Sequence, residues 1–262
     1  MPSRTPDDLS WWPNGPPLSS CLPIVIWSNI SYLLVTVGHS CNPSLHFHSS
    51  TELFTSNSTL SRVKMAPSFG SKIVLIISAG RGIGRGASIK LAKLGATLAL
   101  TDINEASLDK TCNLCTSTNH HYTSAFDVGS TEKCNEYVSV IISKYNGIDH
   151  IFNCIGINGV YQSTVDVTDA HWDKMFNTNA KGFLNITGAC IPYLKSGASF
   201  LNPTSAFGIS PGANFAVSCA TNAAVIGFSM NMALELGPRR IRTNITVPEA
   251  VRAPTNVQVI VG

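Results

Sequence analysis

Residues 78–84 read Ser-Ala-Gly-Arg-Gly-Ile-Gly and lie between an uninterrupted apolar run, 73–77, and the start of an amphipathic helical pattern. A strand, a glycine turn and a helix start, in that order, form a cradle for a dinucleotide pyrophosphate. Glycines let the backbone approach the phosphates, and the first turn of the helix presents unpaired N–H groups and a partial positive charge. Asp102 stands 20 residues after Gly82, at the end of a second apolar run, 96–100. An acidic side chain at that distance is placed to hold the hydroxyls of an adenosine ribose.

From Met65 onward, apolar runs of strand length alternate with helical patterns. This predicts a doubly wound α/β fold, a parallel Rossmann sheet in a three-layer αβα arrangement. Further strands are expected at 122–126, 150–155, 198–202 and 241–246, and helices at 131–144, 169–193 and 216–236. In the first helix Ile83, Ala87, Leu91 and Leu94 form one apolar stripe, and Gly95 ends it. With 44% hydrophobic and 13% charged residues the chain has enough apolar material for one good-sized core. The net charge of +3 is spread without a dense Lys/Arg run, so small molecules rather than nucleic acid are the expected partners.

Residues 1–64 are rich in Ser, Pro, Asn and Thr and show no sustained period. They read as an irregular, poorly ordered N-terminal extension that adds nothing to a Rossmann domain over 65–262. The apolar run 22–37 is broken by Pro23, Ser28, Asn29 and Ser31 and is shorter than the roughly 20 residues of a spanning helix, so a membrane partner is disfavoured, an N-terminal signal or anchor being the alternative. The eight cysteines are scattered, which favours a reducing, cytoplasmic setting. Cys112 and Cys115 form a lone C-x-x-C that reads as two ordinary thiols near the end of a surface helix, not a metal site.

Several motifs in register resemble the short-chain dehydrogenase/reductase family over residues 70–256. Gly80-Arg81-Gly82-Ile83-Gly84 is similar to its cofactor turn, Thr101-Asp102 to its ribose contact, and Asp127-Val128 to the pair that touches adenine. Asn153-Cys154-Ile155-Gly156 resembles its Asn-Asn-Ala-Gly, Asn179-Ala180-Lys181-Gly182 its Asn-x-Lys-Gly, and Thr204-Ser205 its catalytic serine dipeptide. The resemblance implies an oxidoreductase acting on an alcohol/ketone pair with a nicotinamide cofactor. NAD is favoured because Asp102 would repel a 2′-phosphate, with NADP as the alternative because Arg81 and Arg85 are near. It also implies a catalytic Ser205, an Asn179 that orders a relay water, a Pro248 beside the nicotinamide, and a homodimer formed through helices 169–193 and 216–236.

The same resemblance exposes departures. The family's Tyr-x-x-x-Lys pair falls on Ser218 and Asn222. Spacing i, i+4 on a helix puts such a pair on one face, where the ammonium favours the tyrosinate. A serine alcohol beside an uncharged amide cannot do this, so impaired catalysis is expected; a non-catalytic binding or dimerisation module and an unstable decayed product are the alternatives. Ser78 stands where the family has the first glycine of the turn, which predicts weaker pyrophosphate binding. Glu249 replaces the glycine after Pro248, and the family's lid and last strand do not follow before Gly262. Residues 241–246 are therefore expected to be an open sheet edge unless 257–261 fold over it. Tyr161 is a candidate substitute phenol, without a lysine four residues on. His120, His121, His150 and His171 join no motif.

Overall fold

The computed structural model describes residues 32–36, 68–115 and 120–248. One seven-stranded sheet organises it. The strands are β1 (Tyr32–Thr36), β2 (Ile73–Ile77), β3 (Thr97–Asp102), β4 (Tyr122–Ala125), β5 (Ile148–Asn153), β6 (Leu194–Pro203) and β7 (Arg242–Pro248), in the order β1-β7-β6-β5-β2-β3-β4. The six from β2 to β7 run parallel, joined by the helices α1 (Gly82–Lys93), α2 (Glu105–Leu114), α3 (Thr131–Tyr145), α4 (Asp169–Phe176), α5 (Gly182–Cys190) and α6 (Ala216–Leu236).

Alternation along β2 divides the core into two. Val74 and Ile76 pack with Ala92, Leu98, Leu100 and Leu108 beneath α1 and α2. Leu75 and Ile77 pack on the other face with Val138, Ile141, Phe183, Ile186 and Met232 beneath α3, α5 and α6. Each such large aliphatic side chain removed from water contributes about 1.5–3 kcal/mol. The stretch Ala216–Arg239 is long and apolar enough to cross a membrane by composition, but α6 turns Val217, Val225, Met232 and Leu236 into this core.

Three expectations are refined or corrected. First, the expected helix 169–193 is continuous but not uniform: α4 gives way to a π turn, Asn177–Lys181, then α5, then a 3-10 turn, Ile191–Tyr193. The π turn swings Asn179 inward to a buried position.

Second, the buried face of α1 is Gly84, Ser88 and Ala92, while Ile83, placed by periodicity in the apolar stripe, is 39% exposed. Close approach is the cause, since a Cβ on Gly84 would come 2.2 Å from the Ser78 carbonyl oxygen.

Third, the sequence upstream of Met65 does enter the fold. β1 pairs antiparallel with β7, Tyr32 opposite Pro248 and Thr36 opposite Asn244, and occupies the edge expected to be open. It also makes residues 32–36 of the apolar run 22–37 a strand. The other residues of 1–64, together with Glu249 and 257–261, lie outside the described residues.

Candidate active site

In a parallel sheet every strand carries its next loop away from the same edge, and ligands settle where the winding reverses. Here the reversal lies between β2 and β5, the neighbours at the centre of the sheet. Ser78, Asp102, Asp127, Asn153, Ser205 and Pro248 all stand at or just beyond the carboxyl ends of their strands. The fold thus brings residues spread over 171 positions of chain to one edge.

The turn after β2 is built for close approach. Ser78 is held at φ 59° and Gly82 at φ 53°, both left-handed. A Cβ on Gly80 would fall 2.7 Å from the Asp102 carboxylate, which accepts the Gly80 N–H at 2.8 Å through Oδ2. Arg81, the residue before α1, makes no side-chain cap, and no acidic residue occupies the first turn. The leading N–H groups of α1 therefore remain available for an anion. Ile83 is exposed beside them. A pyrophosphate fits this cradle.

Asp102 does not cap the helix that follows it. Asn104 does that, accepting the Ser107 N–H at 2.8 Å. Asp102 instead braces two backbone amides, Gly80 and Asn104. Arg85 is likewise committed inward: its guanidinium donates to the Gly80 and Ser107 carbonyl oxygens, and its Nε donates to Thr111 Oγ1 at 2.9 Å. Thr111 in turn donates to the Ala79 carbonyl oxygen at 2.9 Å. Sequence reading missed this Arg85–Thr111 brace, because only the packing of α1 on α2 brings the two residues together.

Asp127 folds over its own turn, accepting the Gly129 N–H at 2.8 Å, and Val128 packs so close to α5 that a Cβ on Gly182 would meet it at 2.6 Å. Asn153 is buried, and its Oδ1 has no hydrogen-bond partner. Such an orphan beside the central cleft is a polar atom that a bound cofactor or water would satisfy. Gly156 is exposed, with open space where a Cβ would stand. Cys154, between them, has its thiol pushed far up by burial, so it stays protonated and unreactive. The six described cysteines are all free, and burial followed by the neighbouring Cys112 pushes the Cys115 thiol up to about 11.

The reaction side has a different character. Asn179 spends its side chain on the loop after β5: Oδ1 accepts the Ile157 N–H at 2.8 Å, and Nδ2 donates to the Ile157 carbonyl oxygen and to Thr221 Oγ1. Ser205 starts a 3-10 turn, its Oγ accepting the Phe207 N–H at 3.3 Å, so its hydroxyl proton stays uncommitted. Ser218 is buried and its Oγ accepts the Gly159 N–H at 3.3 Å. Asn222 turns back on its own helix, with Nδ2 donating to the Ser218 carbonyl oxygen at 2.9 Å. Both positions at which the resemblance implies an acid and a cation are used for internal hydrogen bonds. Tyr161, the candidate substitute phenol, is 67% exposed, and its ring stands edge-on to Phe215.

Comparison with known proteins agrees with this geometry. The sequence profile of short chain dehydrogenases matches residues 72–260. The levodione reductase of Leifsonia aquatica is 31% identical over 191 residues, covering 71% of this chain and 72% of that one. The 3-oxoacyl-acyl-carrier-protein reductase of Thermotoga maritima is 32% identical over 191 residues, covering 70% and 75%. Among solved structures, a levodione reductase superposes with a TM-score of 0.68 at 27% identity over 71% of this chain and 74% of that one. A 3-ketoacyl-acyl-carrier-protein reductase from Brucella melitensis, complexed with NADH, gives 0.66 at 26% over 72% and 79%.

Proposed function

Because the chain belongs to the short-chain dehydrogenase family, an oxidoreductase family with an NAD(P)-binding fold, we propose that it binds NAD and has lost most of its catalytic power on an alcohol/ketone pair. The carrying observation is that an alcohol, Ser218, and an uncharged amide, Asn222, whose Nδ2 is spent on its own helix, stand one turn apart on α6 where a phenol and an ammonium are needed. A bound nicotinamide supplies or accepts the hydride. The protein must then hold the carbonyl oxygen and move a proton to it. Ser205 keeps a free hydroxyl proton for the first task. For the second, Ser218 offers an alcohol far less acidic than a phenol of pKa about 10, and Asn222 has no charge to draw its proton off. General acid–base help of this kind is worth roughly 10²–10⁴ in rate. Asn179, clamped to Ile157, keeps the relay region in shape without supplying the missing acid.

NAD is favoured over NADP by the Asp102 carboxylate at the ribose end and by the inward commitment of Arg85. Gly80, Arg81, Gly82, Ile83 and Gly84 line the phosphate side; Asp127, Val128, Asn153, Gly156 and Pro248 line the rest of the groove. The free cysteines support a cytoplasmic setting.

A second reading, a dimerisation module that retains little chemistry, is favoured by one surface. A groove of about 530 Å³ between α4, the π turn, α5 and α6 is lined by Phe176, Ala180, Phe183, Leu184, Val225 and Phe228. Leu184 is 49% exposed there, a large apolar side chain that a second copy would cover.

The test is calorimetric titration of the full chain with NADH and NADPH, together with turnover on a panel of ketones and light scattering. Binding of NADH with turnover at least a hundredfold below that of an intact relative is expected, from a dimer. Ordinary family turnover would remove the impairment, absence of binding the cradle, and a strict monomer the second reading.

A further inference from the structure

The loop after β5 is fastened at four successive points, the first on the π turn and the other three on α6 and its approach. Ile157 is gripped through both its N–H and carbonyl oxygen by Asn179. The Gly159 N–H donates to Ser218 Oγ at 3.3 Å. Tyr161 stands edge-on to Phe215 with ring centroids 5.3 Å apart, and the Gln162 N–H donates to the Asn214 carbonyl oxygen at 3.0 Å. Contact at Gly159 is close enough that a Cβ there would lie 2.7 Å from Ser218 Oγ.

The turn after Ser205 rests on the same stripe of α6. A Cβ on Gly208 would stand 3.0 Å from Asn222, and Phe207 stacks on Phe215 with centroids 4.7 Å apart. Phe215 is thus held between Phe207, from the Ser205 turn, and Tyr161, from the loop. One residue joins the Ser205 turn to the loop that Ser218 holds.

We infer that residues 157–162 form a strap beside the Ser205 turn, with the Ser218 hydroxyl as its clasp and Phe215 as its hinge pin, so that the side chain at 218 sets how firmly the loop is held. The inference rests on the reading of Ser218 as the substituted phenol position. Ser218 is a positioning residue in this role: it touches the strap and sets its order. A tyrosine there could not accept the Gly159 N–H from the same place, because its ring would extend where the strap lies.

Hydrogen exchange at single-residue resolution on the full chain tests it. In the unsubstituted protein the Gly159 amide is expected to exchange well below the rate of an unstructured chain. Ser218→Ala removes the acceptor and is expected to speed Gly159 exchange about fivefold, the weight of one ordinary hydrogen bond. Ser218→Thr, which keeps a hydroxyl, should restore protection, and Tyr161→Ser should loosen the same segment independently. Exchange within β2 serves as the control for global unfolding. An unprotected Gly159 amide in the unsubstituted chain, or one whose rate ignores Ser218→Ala while β2 is unchanged, would overturn the strap. That result leaves the impairment reading intact, since impairment falls only to ordinary ketone turnover.

Discussion

Asn222 Nδ2 donates to the carbonyl oxygen of Ser218, one helical turn earlier in α6, at 2.9 Å. The residue that a cation would occupy is therefore satisfied locally, and nothing in it reaches toward a proton carrier. Joint substitution Ser218→Tyr with Asn222→Lys is expected to raise ketone reduction by at least tenfold, since the acid–base contribution it reinstates is roughly 10²–10⁴. Either substitution alone should give much less, because phenol and ammonium act as a unit. Initial rates at saturating NADH, with NADH affinity measured alongside, decide the matter. If the double variant binds NADH and gains nothing, the lesion lies elsewhere in the site.

Ser78 holds a left-handed conformation that glycine adopts freely, at φ 59°. A side chain in that region costs about 1–2 kcal/mol, partly offset by the lower entropy of its unfolded chain. Ser78→Gly is therefore expected to stabilise the protein by about 0.5–1 kcal/mol and to tighten NADH binding. Gly84→Ala should do the reverse, because its Cβ would meet the Ser78 carbonyl oxygen at 2.2 Å. Thermal melts and titration of the two variants must move in opposite directions, or this account of the turn fails.

The Asp102 carboxylate braces the Gly80 amide and, in the proposed NAD site, would meet the adenosine ribose. Asp102→Asn keeps the size and one acceptor oxygen while removing the charge. NADH affinity is expected to fall about tenfold, and the preference over NADPH to narrow, because a neutral amide no longer repels a 2′-phosphate. Equal preference ratios in the two proteins would show that the carboxylate does not set cofactor choice.

Local pattern revealed much of this fold, and the misses share one cause. β2 at 73–77 and α6 at 216–236 were legible because an apolar run and a Gly237-Pro238 stop are local signals. The buried face of α1 was not, since Gly84 lets the helix come so near the turn that small residues face the sheet and Ile83 is pushed out. The π turn at Asn177–Lys181 was hidden because only the grip on Ile157 shows why Asn179 turns inward. At the site, residue identities were readable from motif register, including the substitutions at 218 and 222. The Arg85–Thr111 brace and the Gly159–Ser218 contact join segments that no single window contains.

His150 and His121 set the expected response to acid. Burial, with lesser contributions from Lys72 and Arg242 set against an opposing pull from Asp149, keeps His150 below its ordinary value; its Nδ1 lies 2.9 Å from Ser199 Oγ. Burial also lowers His121, whose Nδ1 accepts the Leu98 N–H. An imidazole harder to protonate in the fold lets the unfolded chain take up protons first. Stability is then full above about pH 6.5 and declines as pH falls through that value. For Asp149, burial opposes ionisation but is outweighed by the Ile73 N–H and Lys72, so its carboxyl sits low and its contribution is lost only below about pH 4. Between pH 7.5 and 5 the melting midpoint is expected to fall. The fall should shrink in His150→Gln and further when His121→Gln is added. An identical slope in the double variant would exclude both histidines.

β1 and β7 pair across more than 200 residues of chain, with Leu34 opposite Thr246. Without β1, the outer edge of β7 would present a row of unpaired N–H and C=O groups, a template for another strand. In an antiparallel ladder with a single neighbour, alternate N–H groups point at the partner. Of two adjacent positions, one must therefore donate to β7. Proline placed in turn at Leu33 and at Leu34 is expected to lower the melting midpoint at one position and to be much milder at the other, since proline removes a ladder donor only where one exists. Removal of residues 1–64 should lower it further and raise light scattering as exposed edges associate. If the shortened chain melts and scatters like the full one, the strand contributes nothing to stability, and the sheet ends at β7.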